Sequence, residues 1–257
     1  MKALYFSAFV VLLFATNAYC FLSVSPAVVE RTAKAGRSVI VEFVVSNQEE
    51  AAMLVKTLPD LTWWKQTTGG SELSPKAVLV CPQKSFLLAQ GESKKVKVRI
   101  KIPKDATGEL VAMIYFAANP QGQAGAVLNA TTRNGVPIYI FTGTPKKTNF
   151  EVSSFDVNIS SVNGVRALSC VLSIKNNGLS HFRPKGEVKI SCSSGDFTGQ
   201  IPYGFPVFPN CSEKYRVKFE NKDWPTGTYK CSANINVNSP FFDNEVVVGV
   251  NKEVDIK

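Results

Sequence analysis

The chain has 257 residues, a net charge of +9 and a hydrophobic fraction of 45%, which is enough for one large or two ordinary folded domains. Lysine and arginine are spread over both halves and do not alternate with aromatics in a basic cluster, so no nucleic-acid partner is expected. Valine, isoleucine, threonine and phenylalanine recur in short alternating runs, and no window carries a long helical period. This pattern argues against a helical protein and favours an all-β fold.

The first twenty residues have the features of a targeting segment. Lys2 supplies a positive charge, residues 3–15 are apolar, and Ala18 and Cys20 mark two candidate cleavage positions. The apolar run is shorter than the roughly 20 residues that a helix needs to cross a bilayer. A lipid anchor at Cys20 is disfavoured by the bulky Tyr19 before it. We therefore expect a signal peptide at residues 1–20, cleaved after residue 18 or 20, no transmembrane segment, and a mature protein that is periplasmic, secreted or on the cell surface.

In the first half, alternating runs predict strands at residues 38–45, 53–61, 94–102 and 108–118. The clearest run has Val96, Val98, Ile100 and Ile102 alternating with Lys95, Lys97, Arg99 and Lys101. Such alternation predicts one buried face and one solvated face. We expect the four cations to be solvated and to discourage edge pairing. Contact with an acidic partner or an anionic envelope surface is the alternative.

The segment at residues 135–147 separates the two halves. It follows an Asn134-Gly135 turn signal and continues as a short strand with Val136, Ile138 and Ile140 on one face. Its end contains glycine and proline, which predict a bend and a linker. We therefore predict a first β-domain at residues 21–145 and a second at residues 146–257.

The second half repeats the pattern of short strands separated by turns. Alternating runs predict strands at residues 150–159, 168–174, 187–192, 215–219, 229–237 and 245–250. Residues 201–209 contain three prolines and are expected at a sheet edge or in a loop. Seven or so strands in each half predict two β-sandwiches in tandem.

The six cysteines fit the oxidising compartment that export implies. An even set lies in the second half, and the sequence leaves its three connectivities open: Cys170, Cys192, Cys211 and Cys231. Cys81 stands alone in the first half. It can bridge to Cys20 if cleavage follows residue 18, and it is a free thiol if cleavage follows residue 20.

Enzyme chemistry is not expected from this sequence. Its single histidine, His181, lies in a turn-rich stretch, and no nucleophile elbow, phosphate-binding loop or dinucleotide fingerprint is present. A metal site of histidine and cysteine is disfavoured because the second-half cysteines suit disulfides better. We therefore expect a binding protein without a catalytic site, a metal or a cofactor.

Residues 226–231 (TGTYKC) resemble the strand-F signature of immunoglobulin-like domains, in which a tyrosine stands two residues before a cysteine. The resemblance implies an immunoglobulin-like second sandwich with an inter-sheet bridge between Cys170 and Cys231. Cys192 is then left to pair with Cys211. No tryptophan occupies the expected position in strand C, and Phe182 is expected to fill that space.

Short motifs in the first half carry a second resemblance. They are Val24-Ser25-Pro26, Arg31 five residues before Gly36, Ser46-Asn47 at a strand end, Gly91-Glu92-Ser93, and the closing strand at residues 138–145. Together they resemble the N-terminal domain of the periplasmic pilus-assembly chaperones, the PapD-like sandwiches. That family caps subunits by pairing a strand with them, a form of β-augmentation, and grips the subunit's C-terminal carboxylate with basic residues near the domain cleft. By position, Arg31 matches the first of those cations, and Tyr139 stands where the second is expected.

The resemblance implies a chaperone-like binding protein of the periplasm or cell envelope that holds exported, pilus-type subunits by β-strand pairing. It implies partner contacts at Arg31, Val136, Ile138 and Ile140. The alternative interpretation of these residues is a surface cation and ordinary core side chains. The alternative function is a structural or adhesive immunoglobulin-like surface protein without chaperone activity, which would bind through loops at the ends of the sandwiches.

Overall fold

The structure is a computed structural model that describes residues 22–63, 78–81, 83–120, 131–144, 148–162, 165–219, 224–241 and 245–256. The predicted signal peptide with its cleavage positions, Cys20, and residues 145–147 of the predicted linker lie outside these residues. Within the described ranges the chain forms sixteen β-strands. These ranges contain no helical segment with the length and apolarity that crossing a bilayer requires.

Nine strands before residue 145 build the first sandwich. They are β1 Leu22–Ser25, β2 Val29–Ala33, β3 Ser38–Asn47, β4 Met53–Asp60, β5 Val78–Val80, β6 Ser85–Leu88, β7 Ser93–Lys101, β8 Gly108–Pro120 and β9 Thr132–Thr142. One sheet has the order β1-β3-β7-β5 and the other the order β2-β9-β8-β4-β6. The paired strands run antiparallel, apart from the parallel pair of β2 and β9. The chain crosses from one sheet to the other between β1 and β2.

The alternating run predicted at residues 94–102 forms β7 and shows how the first sandwich is held together. Its Val96, Val98 and Ile100 are fully buried, and its four cations are exposed. Glu42 on the neighbouring β3 pairs with Lys95 at 2.9 Å. Each buried Val or Ile contributes roughly 1.5–3 kcal/mol, whereas an exposed ion pair contributes little. The inward apolar face therefore determines the position of β7, and the predicted alternation is confirmed.

Seven strands after residue 147 build the second sandwich. They are β10 Phe150–Val162, β11 Val165–Asn176, β12 Arg183–Cys192, β13 Gly195–Gln200, β14 Ser212–Phe219, β15 Gly227–Asn238 and β16 Glu245–Ile256. Their sheets have the orders β10-β11-β14 and β13-β12-β15-β16. Residues 201–209 form a loop with one isolated bridge, between Phe182 and Val207. The predicted all-β fold of two sandwiches in tandem is confirmed.

The residue pattern that resembles strand F lies on β15 in the second core. Tyr229 is fully buried, and its hydroxyl donates a hydrogen bond to the carbonyl oxygen of Pro225 at 2.7 Å. A buried tyrosine bonded to the backbone a few residues upstream is a feature of immunoglobulin-like sandwiches. Phe182, expected to fill the space of the missing tryptophan, is also fully buried in this core.

The two predicted disulfides differ in where the structure places their cysteines. Neither predicted bridge is formed among the cysteines that the structure describes. Cys170 and Cys231 nevertheless contact each other between the two sheets, and the hydrogen bond with Cys231, together with burial, raises the pKa of Cys170. Their pairing stays a prediction.

The predicted pairing of Cys192 with Cys211 conflicts with their positions. Cys211 packs against the first sandwich together with Tyr139. Cys192 ends the ten-residue β12, whose Arg183 lies near the first sandwich, so roughly 30 Å separates the two ends of this strand. A disulfide needs Cα atoms within about 7 Å. The strand order therefore argues against this pairing, which stays a prediction.

Candidate functional site

An apolar cluster joins the two sandwiches. Trp63, Val111 and Tyr139 come from the first sandwich, and Phe208 and Cys211 come from the second. The rings of Tyr139 and Phe208 are 6.1 Å apart, and those of Trp63 and Phe208 are 6.3 Å apart. Aromatic pairs at such distances contribute beyond the area that they bury. We call this region the junction.

A polar cluster of Glu30, Glu109, His181 and Arg183 lies inside the junction. His181 is fully buried, and its Nδ1 contacts Oε1 of Glu109. The backbone N–H of His181 donates to Oε2 of Glu109 at 2.6 Å. Nη1 of Arg183 donates to Oε1 of Glu30 at 3.0 Å. Glu30 and Glu109 belong to the first sandwich and the other two residues to the second, so these bonds cross between the sandwiches.

The electrostatics of the cluster favour a charged histidine. Burial alone would lower the pKa of His181, but the charge of Glu109 and the hydrogen bonds with Glu109 and Glu30 outweigh it, and the pKa is raised. The hydrogen bond with His181 lowers the pKa of Glu30, and Arg183 adds to that effect. When His181 is neutral, its Nε2 accepts from Nη1 of Arg183 at 3.1 Å. When it is protonated, Nε2 faces Oε1 of Glu30 at 3.4 Å.

Tyr139 lies between the polar cluster and the core of the first sandwich. Its ring lies 4.2 Å from the imidazole of His181, and the guanidinium of Arg183 lies 5.7 Å from the ring centroid. Burial raises the pKa of Tyr139, so the phenol stays neutral. The residue at the position of the second expected cation is therefore a neutral aromatic, and Arg183 of the second sandwich supplies the positive charge beside it.

The second feature of this region is an open edge of β9. β8 pairs with β9 along residues 132–142, whereas β2 pairs only with residues 138–142 on the other side. Residues 132–137 have no strand partner on that side among the described residues. The side chain of Asn134 donates to the carbonyl oxygen of Leu22 there. We call residues 132–137 the open edge.

Two residues of the open edge, Arg133 and Gly135, pack against the ring of Tyr115 on β8. The guanidinium of Arg133 stacks on the ring of Tyr115 at 3.6 Å from the centroid. A Cβ atom at Gly135 would lie 2.7 Å from Cε1 of the same ring, so a glycine is required under Tyr115 unless the ring moves. The Asn134-Gly135 pair, predicted as a turn, is therefore part of a strand in the structure.

The structure does not bring the predicted partner-binding residues together with the polar cluster. Arg31 is exposed, and as the neighbour of Glu30 on β2 it points to the opposite face of the sheet. Val136, Ile138 and Ile140 are exposed by only 2%, 1% and 1% and belong to the first core. Their predicted contacts with a partner stay a prediction. Val136 lies in the open edge and offers its backbone there, whereas the backbones of Ile138 and Ile140 are already paired with β2 and β8.

Sequence reasoning missed Glu30, Glu109 and Arg183 as site residues, and it considered His181 only for catalysis or a metal site. One signal was present for Glu109, which stands two residues before Val111 on the same face of a predicted apolar strand. A carboxylate in such a row indicates a buried charge with a partner. The partner itself could not be found, because His181 lies 72 residues away in the sequence.

Comparison with solved structures identifies the fold. The YadV chaperone superposes with a TM-score of 0.51 at 11% sequence identity, over 90% of this chain and 100% of that one. A chain of the Salmonella enterica complex of the SafA pilin with the SafB chaperone gives 0.48 at 13% identity, over 91% and 96%. The CupB2 chaperone of Pseudomonas aeruginosa gives 0.47 at 11% identity, over 91% and 100%.

The chain thus has the two-sandwich fold of the PapD-like pilus chaperones, and the predicted resemblance is confirmed at the level of the fold. No protein-family model matches the sequence, and a search of curated proteins gives no match.

Proposed function

We propose that this protein is a chaperone-like binding protein of the periplasm or cell envelope that holds exported, pilus-type subunits by β-strand pairing. The observation that carries the proposal is the open edge of β9, where residues 132–137 have no strand partner on one side among the described residues. The fold shared with the YadV chaperone supports the same role. We infer export from the signal-peptide features of residues 1–20. We place the boundary between the two domains at residues 145–146.

The open edge suits strand addition on energetic grounds. Unpaired N–H and C=O groups at an edge accept an extended chain through main-chain hydrogen bonds. Each such bond contributes roughly 0.5–1.5 kcal/mol net, so a few bonds give only modest affinity. Arg133 and Asn134 keep the edge polar, and Pro137 removes one donor. We expect these residues to limit non-specific pairing, so that apolar contacts from the subunit must add to the backbone bonds.

A photo-crosslinking experiment tests this proposal. A photoreactive amino acid replaces Arg133, which is exposed at the open edge, in the full chain expressed in its native cells. Lys97 on the solvated face of β7 receives the same residue as a matched control. We expect position 133 to crosslink to an exported protein, identified by mass spectrometry, and position 97 to give no such product. Equal products from both positions, or none from position 133, would contradict strand pairing at this edge.

A further inference from the structure

The imidazole of His181 faces partners from both sandwiches. Its Nδ1 contacts Oε1 of Glu109 in the first sandwich. Its Nε2 lies 3.1 Å from Nη1 of Arg183 in the second sandwich and 3.4 Å from Oε1 of Glu30 in the first. This nitrogen accepts from Arg183 when the ring is neutral, and it is a donor toward Glu30 when the ring is protonated. Protonation therefore replaces a bond within the second sandwich by an ion pair that crosses the junction.

The same proton sets the charge balance of the polar cluster. The side chain of Glu109 is fully buried, and its one cationic partner among the described residues is a protonated His181. Arg183 pairs with Glu30 at 3.0 Å. With the proton bound, two cations face two carboxylates, whereas without it one buried carboxylate has no cation. Because an uncompensated charge is costly in a closed interior and less so where water reaches it, loss of the proton favours separation of the two sandwiches at the junction.

The other described groups around the imidazole are uncharged. The ring of Tyr139 on β9 lies 4.2 Å away, and burial raises the pKa of this phenol, which stays neutral. Loops of the second sandwich contribute the rings of Phe208 and Phe241, at 6.2 Å and 5.7 Å. Residues 242–244, which follow Phe241, lie outside the described part of the chain. Among the described residues, the charge of His181 is therefore coupled to three charged groups, from β2, β8 and β12: Glu30, Glu109 and Arg183.

We propose that His181 is a pH-sensitive switch between the sandwiches: its protonated form holds them together, and its neutral form lets them separate at the polar cluster while each stays folded. Separation without unfolding is feasible because each sandwich has its own core. The ring contact between Tyr139 and Phe208, at 6.1 Å, does not depend on pH and limits how far the sandwiches move apart. The proposal concerns the free protein and does not rest on the proposed function.

The direction of the switch follows from the environment of the histidine. Burial lowers the pKa of His181, but the charge of Glu109 and the hydrogen bonds with Glu109 and Glu30 outweigh it, so the pKa lies above its ordinary value of 6.5. Where the sandwiches separate, water reaches the ring and its pKa returns toward that ordinary value. The closed junction is therefore favoured fully below pH 6.5, and this preference is lost as the pH rises through the raised pKa.

Hydrogen exchange of the free mature chain, followed by NMR, tests the proposal. The reporter is the backbone N–H of His181, which donates across the junction to Oε2 of Glu109 at 2.6 Å. Its protection is the exchange rate of the unfolded chain divided by the measured rate at the same pH, which removes the intrinsic effect of pH. We expect this protection to fall by about tenfold or more between about pH 6 and pH 9. Amides of β7 and β15, which lie inside their sheets, are expected to keep their protection.

Matched variants make the test specific. His181→Gln keeps the reporter amide and has no titrating ring, so its protection is expected to be constant over this range. Glu30→Gln removes the acceptor of the protonated ring and is expected to reduce the fall. Glu151→Gln removes a carboxylate from an exposed pair with Lys175 and is expected to behave as the wild type.

Three results would overturn the proposal. They are constant protection of the reporter amide in the wild type, an equal fall in His181→Gln, and a parallel fall in β7 and β15, which would mean that the sandwiches unfold instead of separating. Since the measurement uses no subunit, crosslinking at position 133 stays a separate test of strand pairing.

Discussion

At the scale of single residues, the junction depends on a histidine that solvent does not reach. His181 is fully buried, with Glu109 on one side and Glu30 and Arg183 on the other. A buried ion pair gains little over apolar packing, but the loss of one partner is costly because it leaves an unpaired buried charge. The polar cluster therefore contributes mainly to the specific way in which the two sandwiches meet.

The pKa of His181 predicts how stability depends on pH. Its pKa is raised in the folded state from an ordinary value of 6.5, so its contribution is complete below pH 6.5 and is lost as the pH rises through the raised folded pKa. Since the chain has one histidine, His181→Gln removes that dependence. We expect the thermal midpoint of the wild type, measured by circular dichroism between about pH 6 and 8, to fall more steeply with rising pH than that of the variant. Parallel profiles would show that His181 does not titrate differently on folding.

At the scale of single elements, β9 combines a core strand with the open edge. Its residues 138–142 lie between β2 and β8 in the middle of a sheet, and residues 132–137 continue beyond the end of β2. The ring of Tyr115 on β8 covers Gly135, so the shape of the open edge depends on contacts between these two strands.

This contact gives a prediction for Gly135→Ala. The added Cβ would lie 2.7 Å from Cε1 and 2.9 Å from Cδ1 of Tyr115, so the ring must move off Arg133. We expect a loss of roughly 1–3 kcal/mol in the free energy of unfolding, measured in urea, as for other overpacked sites. Gly249→Ala on β16 is the control, because its Cβ would be 3.6 Å from its nearest neighbour. An equal response of the two variants would contradict the close packing of Gly135.

How well each element could be predicted depends on how local its signal is. The alternation of residues 94–102 predicts β7 because the polarity of each side chain in that strand indicates whether it faces the core or the solvent. The positions of Cys192 and Cys211 could not be predicted, because cysteine spacing says nothing about which end of a strand meets which sandwich. The polar cluster could not be predicted, since it joins Glu30, Glu109 and His181 from distant parts of the sequence.

At the scale of the whole molecule, the structure describes two sandwiches with separate cores that meet through aromatic rings and the polar cluster. The open edge lies on the first sandwich. The number of alternating runs predicts two sandwiches from the sequence, whereas their relative placement depends on a few contacts between distant residues.

Hydrogen exchange on the complex with the subunit captured at position 133 tests the central claim most directly. If the subunit adds a strand at the open edge, amides within residues 132–137 must exchange more slowly in the complex, by about tenfold or more. Amides of β16, Glu245–Ile256, in the sheet of the second sandwich, serve as the control and should be unaffected. Unchanged exchange at residues 132–137 in a complex that is otherwise intact would contradict strand pairing at β9.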